Sequence, residues 1–332
     1  MSGRRPTGVV VAVRPDGIPP PHLLDKAGGL AEFRFVRNED GLGRDPSDAE
    51  VVFVWNFRSR LVPEALQRLP NLRWVHVAAT GVDASLSAEV ISGPIIVTNS
   101  RGVTANAMAE YALGLMLIFA KDMPRTLDDQ RQAAWQPRMT ETLSGKSALL
   151  IGVGPVNRVL ARALHALGMR VTGVGRTGHV AAEGFVEIVS FAELAQVLPN
   201  ADYVVIATPL TPDTDGLIGR DAFATMKRGA RLINVGRGRV VDELSLMEAL
   251  RNGRLAGAGL DVFWREPLEP EHPLWKMPNV LISPHMCGDF RGWEDAMVDL
   301  FLSNLERWIR GDVLQNVVDK HLGYVPSEGA LV

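Results

Sequence analysis

Apolar residues along this chain come in short runs, and polar or amphipathic stretches of helix length separate them. Gly8–Val13, Phe33–Val36, Val51–Val54, Trp74–Val77 and Ile95–Thr98 are short and β-branched or aromatic. Between them lie stretches such as Pro63–Leu69, and this alternation predicts parallel βα units. Thr104 stands where a cap opens a long helix running to about Lys121, rich in Ala, Leu and Met, which reads as a connection between domains.

A cleaner series begins at Lys146. Ala148–Val153, Arg170–Gly175, Tyr203–Thr208, Arg231–Val235, Ala258–Val262 and Val280–Ser283 are its strand candidates. The stretches between them suit helices: Pro155–Leu167, Phe191–Leu198, Arg220–Met226 and Asp242–Asn252, the last followed by Gly253 as a C′ glycine. Six parallel strands with covering helices predict a doubly wound dinucleotide fold. Arg291–Arg310 is again amphipathic and returns the chain to the first domain. The expected fold class is α/β, with two doubly wound parallel-sheet domains. One is a Rossmann-type nucleotide domain over 102–291, the other a discontinuous flavodoxin-like substrate domain over 1–101 and 292–332. The active site is expected in the cleft between them.

Composition narrows the function classes. The 332 residues, 46% hydrophobic, suffice for two cores. A formal net charge of −3 provides no basic field for nucleic acid. Cys287 is the one cysteine, which excludes an internal disulfide framework and suits a reducing cytosol, so a cytoplasmic location is expected. Behind Arg4 and Arg5 no apolar stretch precedes the strand-like V-V-V-A-V, so a signal peptide is not expected. The apolar run around Ala107–Ala120 carries Glu110 and falls short of the ~20 residues of a membrane span, so no membrane partner is expected.

Chemistry-bearing residues stand just past the strand-like runs. Leu149–Asn157 reads L-L-I-G-V-G-P-V-N. Gly152 allows the tight turn of a phosphate loop, Gly154 a close backbone approach, and Pro155 suits the first helical position. The helix amino terminus then attracts phosphates. Position 157, the third glycine of a G-x-G-x-x-G loop, is asparagine, which implies wider packing or a side chain turned toward the loop or the phosphates. The second strand ends V-G-R-T, without the acid that would bond a ribose 2′-hydroxyl. Arg176 and Thr177 instead suit a 2′-phosphate, which favours NADP over NAD. Further along, I-N-V-G-R-G offers Arg237, L-D-V-F-W-R-E-P offers Glu266, and V-L-I-S-P-H offers His285. A guanidinium, a carboxylate and an imidazole at successive strand ends suit hydride transfer at an α-keto acid. His22, His76, His165, His179, His272 and His321 show no ligand spacing, so no metal is expected.

Together these motifs resemble the D-isomer-specific 2-hydroxyacid dehydrogenases over nearly the whole chain. The matching segments are A-A-T-G-V-D (Ala78–Asp83), N-S-R-G-V-T-A-N-A-M-A-E (Asn99–Glu110), the glycine loop, A-T-P-L-T-P-D-T (Ala207–Thr214) and the three segments just given, with the last running on to S-P-H-M-C-G. Val54–Trp55 looks like the glyoxylate/hydroxypyruvate reductase branch. The resemblance implies His285 as the acid that protonates the carbonyl oxygen, Glu266 as its partner and Arg237 as the grip on the substrate carboxylate. Backbone N–H groups near Thr80 and Gly81 would hold the other carboxylate oxygen; Trp55, expected as a substrate residue, follows a strand of the first domain with Asn56, Phe57 and Arg58, a position that suits the cleft. Gly152, Gly154, Pro155 and Val156 would lie along the pyrophosphate, and Thr208 and Pro209 along the adenosine. Val235, Gly236 and Gly288 are implied on the cofactor side, with Asp261 bonding the nicotinamide carboxamide. Asp83 reads as a cap or turn acid and Cys287 as a small packing residue. The implied activity is NAD(P)H-dependent reduction of a small 2-keto acid to a D-2-hydroxy acid, in a homodimer formed through Thr104–Arg138, where Trp135 looks exposed. The alternatives are a dinucleotide-sensing interaction protein of corepressor type and a reductase of bulkier aryl-pyruvates.

Overall fold

In the computed structural model, the described residues are 7–42, 48–56, 61–176, 178 and 182–326. Thr177, Phe57 and Arg58 lie outside them. The chain divides into two compact units, Met1–Val103 with Phe290–Val332, and Thr104–Asp289.

The first unit is built on a parallel sheet of β1 (Thr7–Ala12), β2 (Ala31–Val36), β3 (Ala49–Val54), β4 (Trp74–Val77) and β5 (Ile96–Asn99), in the order β2-β1-β3-β4-β5. Its helices are α1 (Leu23–Ala27), α2 (Leu61–Arg68), α3 (Ala88–Ser92) and α10 (Trp293–Arg310). Successive strand residues point to opposite faces, and each face has its own core. Val10, Val52, Val54, Val75 and Val77 pack with Leu61, Val62 and Ala65 of α2 and Val90 of α3. Val9, Val11, Phe53 and Trp74 pack with Met297, Val298, Phe301 and Leu305 of α10. Phe53 and Phe301 stack at 4.0 Å between ring centroids. The carboxy-terminal helix is therefore one wall of the first sheet, because its apolar stripe completes the core on that face.

His76 sits on the same face, fully buried, with Nδ1 2.8 Å from Thr98 Oγ1 and Nε2 3.3 Å from Ser100 Oγ. Trp74 Nε1 donates to the same Thr98 hydroxyl at 2.8 Å. Burial pushes the His76 pKa down to about 3.

The second unit opens with α4 (Ala105–Ala120) and α5 (Met123–Arg131). Its sheet comprises β6 (Ser147–Ile151), β7 (Arg170–Gly175), β8 (Glu187–Ser190), β9 (Tyr203–Ile206), β10 (Ala230–Asn234), β11 (Leu255–Leu260) and β12 (Val280–Ile282). The order is β8-β7-β6-β9-β10-β11-β12, all parallel. Counted from β6, that is 3-2-1-4-5-6 with one strand added, the doubly wound dinucleotide order. Helices α6 (Pro155–Ala166), α7 (Leu194–Val197), α8 (Arg220–Thr225) and α9 (Glu243–Arg251) cover it. Ala112, Leu115 and Met116 of α4 pack on Leu160, Ala161 and Leu164 of α6, so α4 is a core helix of this unit.

Two local expectations change. β8 was not expected; four residues at a sheet edge, pairing with β7 alone, are too few to show a period. The helix expected over Phe191–Leu198 breaks into a 3₁₀ turn, α7 and a second 3₁₀ turn over Leu198–Asn200, where Pro199 cannot continue an α-helix. The ends of α9 follow its sequence signals. Asp242 accepts from the Ser245 amide at 2.7 Å, and Gly253 follows at φ 68°. No helix among the described residues is long and apolar enough to cross a membrane.

Candidate active site

Because every strand of the second sheet runs the same way, all its carboxyl ends lie on one edge. Gly152 follows β6, Arg176 follows β7 and Thr208 follows β9. Val235–Arg237 follow β10, Asp261 follows β11, and Ser283–His285 follow β12. Residues scattered over more than a hundred positions are thereby gathered along one edge.

His285 is held in a left-handed conformation, φ 55°, uncommon for a residue with a side chain. Asp261 makes that turn possible. Its carbonyl accepts from the His285 amide at 2.8 Å. Its carboxylate, 0% exposed, accepts from Ser283 Oγ (2.6 Å) and the Met286 amide (3.0 Å) through Oδ1, and from the Cys287 amide (3.0 Å) through Oδ2. The acid just past β11 thus binds the chain on both sides of His285. Oδ2, with one donor, is the carboxylate oxygen with room for the expected carboxamide contact.

Glu266 approaches from the loop after Asp261. Its Oε2 lies 2.7 Å from His285 Nδ1, and its Oε1 accepts from the Phe263 amide at 3.1 Å. The imidazole and carboxylate side chains are 25% and 20% exposed, so the pair is shielded yet reachable.

Arg237 is set by a turn that the sequence reading did not single out. The side chain of Asn234, 1% exposed, accepts from the Gly236 amide at 3.1 Å and donates to the Arg237 carbonyl at 3.0 Å. An asparagine ahead of a glycine at a strand end is the available signal for such a turn. Arg237 Nη1 donates to the Gly236 carbonyl at 2.9 Å. Gly238 then passes so close to Phe263 that a Cβ would lie 2.0 Å from its carbonyl carbon, which admits glycine alone and ties the Arg237 turn to the Glu266 loop.

The glycine loop fits a dinucleotide. Gly152 has φ 93°, and a Cβ there would meet the Ala207 carbonyl at 2.7 Å. Above Gly154 there is open space. Gly154 caps α6 without a side chain and Pro155 occupies its first turn, so the amides of Val156 and Asn157 have no acceptor among the described residues. Amides left open at a helix amino terminus are an arrangement that suits an anion. Thr208 is buried and Pro209 half-buried, and the Pro209 carbonyl accepts from Thr214 Oγ1 at 2.7 Å. Val235 is buried, Gly288 half-buried and Arg176 exposed. Cys287 is 4% exposed, and burial raises its pKa, so the thiol is packing.

The expected substrate residues of the first unit are less alike. Thr80 is exposed, with its carbonyl accepting from Asn99 Nδ2 at 2.6 Å, and Gly81 is half-buried. Trp55 is only 2% exposed. It stacks on Trp293 at 5.9 Å, with the Arg14 guanidinium 5.2 Å from its ring centre.

A family model for the D-isomer specific 2-hydroxyacid dehydrogenase NAD binding domain matches residues 113–287. A glyoxylate reductase of Thermococcus gammatolerans is 35% identical over 279 residues, 81% of this chain and 83% of that protein. One from Korarchaeum cryptofilum is 31% identical over 297 residues, 86% and 83% of the two chains. Among solved structures, a D-isomer specific 2-hydroxyacid dehydrogenase from Xanthobacter autotrophicus in complex with NADPH is 31% identical with a TM-score of 0.83, covering 96% of this chain and all of its own. An NADPH-dependent glyoxylate/hydroxypyruvate reductase from Sinorhizobium meliloti has the same TM-score and coverage at 27% identity.

Proposed function

The chain belongs to the D-isomer-specific 2-hydroxyacid dehydrogenase family, and on that premise we propose that it reduces 2-keto acids of glyoxylate or hydroxypyruvate size with NADPH. The observation that carries the reading is the 2.7 Å Glu266–His285 pair at the same sheet edge as the glycine loop.

A nicotinamide, when bound, would supply the hydride. The protein's own groups do the rest. Glu266 accepts a hydrogen bond from Nδ1–H of His285, which fixes the tautomer and leaves proton donation to the carbonyl oxygen to Nε2. Arg237 pairs with the substrate carboxylate and polarises the adjacent carbonyl. Asp261 holds the His285 turn. Gly152, Gly154, Pro155 and Val156 would receive a pyrophosphate at the α6 amino terminus, and Thr208, Pro209, Val235, Gly236 and Gly288 would complete the cofactor side. Arg176 stands at the end of β7, where no acid repels a 2′-phosphate, and two of the solved relatives are named as complexes with NADPH or NADP.

The same reading includes a homodimer. No residue of α5 is buried, and Trp135 and Met139 beyond it are 93% and 99% exposed. Two large apolar side chains so exposed within five residues support association through this segment. Sedimentation at micromolar concentration checks it, a monomer being the contrary result. For the activity, the deciding experiment is steady-state kinetics on a panel of 2-keto acids with NADPH and NADH. Turnover of the smallest keto acids supports the reading; no turnover of any, or a preference for aryl-pyruvates, overturns it.

A further inference from the structure

The first turn of α6 reaches back onto the loop that precedes it. Asn157, 0% exposed, donates through Nδ2 to the carbonyls of Ile151 (3.0 Å) and Gly152 (2.8 Å). The next residue, Arg158, donates through Nε to the carbonyl of Val153 at 3.0 Å. Three consecutive carbonyls, 151 to 153, are therefore tied to the helix by side chains.

A peptide unit is planar, with its carbonyl and its N–H pointing in opposite directions. Pinning the carbonyls of Gly152 and Val153 thus sets the direction of the amides of Val153 and Gly154. The orientation of the Asn157 amide is itself determined: turned over, its Oδ1 would face two carbonyl oxygens. As it stands, Oδ1 is buried and has no partner among the described residues. An unpaired buried acceptor is unfavourable, and it persists here beside two donor bonds to the loop. In the general G-x-G-x-x-G loop the third glycine serves close helix–strand packing. Here a side chain fills that gap and bonds across it. The Nη atoms of Arg158 find no partner among the described residues, which leaves a positive charge at the helix amino terminus.

We propose that Asn157 and Arg158 form a positioning clamp that holds the peptide planes of the 151–154 loop ready for a pyrophosphate, a hydrogen-bonded substitute for the missing glycine. The proposal rests on the dinucleotide reading of the site. Restoring the fingerprint glycine should therefore weaken binding.

The test compares wild type with Asn157→Gly, Asn157→Asp and Arg158→Leu. The readouts are dissociation constants for NADPH and NADH by calorimetry, melting of the ligand-free protein, and kcat against KM. In Asn157→Gly the loop has to be ordered on binding, which should weaken affinity for both dinucleotides by roughly tenfold, with the loss on cofactor affinity rather than on turnover at saturation. Asn157→Asp should bind more weakly still, since a carboxylate oxygen would face the two carbonyls. Arg158→Leu, at a half-buried position, should weaken binding several-fold and flatten its salt dependence; it carries the test alone if the Asn157 variants do not fold. Tight wild-type binding with unchanged constants in the variants, even if they melt earlier, makes Asn157 mere helix packing and overturns the clamp alone. Wild type that binds neither dinucleotide overturns the reading of the site, and the clamp with it.

Discussion

Glu266 and His285 meet at 2.7 Å between Oε2 and Nδ1, while the other oxygen of Glu266 is held by the Phe263 amide. The carboxylate is therefore anchored before it orients the ring, and the ring proton on Nδ1 is spoken for. Acid work falls to Nε2. Replacing His285 with Gln should lower the reduction rate by ~10²–10⁴-fold, the usual effect of removing a positioned acid, while calorimetry still detects cofactor binding. Glu266→Gln should show a smaller loss. A His285→Gln enzyme keeping a tenth or more of its turnover would mean that the ring is structural.

Asp261 offers a separate test, because it touches the chain on both sides of His285. In Asp261→Asn an amide group would face the donors of Ser283, Met286 or Cys287. One buried donor left unpaired corresponds to about 1–3 kcal/mol, and the His285 turn should relax. The expected result is lower stability in urea together with more than about a tenfold loss of kcat. A variant of lowered stability with normal turnover would show that the left-handed turn stands without the Asp261 carboxylate.

Arg237→Lys keeps the charge but loses the planar two-pronged grip on a carboxylate. Apparent substrate affinity should fall and the rate with it. Unchanged kinetics with every accepted keto acid would place the carboxylate elsewhere.

Cofactor choice turns on Arg176. Charge-assisted hydrogen bonds to a 2′-phosphate contribute roughly 1.5–3 kcal/mol, one to two powers of ten in affinity. Catalytic efficiency with NADPH should exceed that with NADH, and Arg176→Ala should remove most of the difference. Equal or better efficiency of the wild type with NADH contradicts the assignment.

The first unit should lose stability in acid. His76 titrates at about 3 when folded, below its ordinary 6.5, because burial disfavours the charged ring. Between those values the unfolded chain binds a proton that the folded chain does not. Its contribution is therefore intact above pH 6.5 and declines as pH falls toward 3, by up to about 1.4 kcal/mol per pH unit. Urea titrations of wild type and His76→Gln between pH 7 and 4 measure it. The variant should show a shallower decline, by close to one proton; parallel slopes rule His76 out.

Much of this protein was determined locally. Apolar runs of strand length, each ending in a turn, are a property of neighbouring residues, and so is the placing of Gly152, Arg237, Glu266 and His285 just past them. Parallel strands bring such ends to one edge whatever lies between, so the ordered motifs already point to that edge. The tertiary structure decided what depends on partners distant in sequence. The left-handed turn at His285 stands on a carboxylate 24 positions earlier. The packing at Gly238 requires Phe263, the bonding of Asn157 requires the carbonyls it faces, and the burial of Trp55 requires Trp293. An edge strand such as β8 is similarly defined by its neighbour and not by its four residues. Side-chain type is written in the sequence; which hydrogen-bond partner a side chain finds is set only when the backbone has brought that partner within reach.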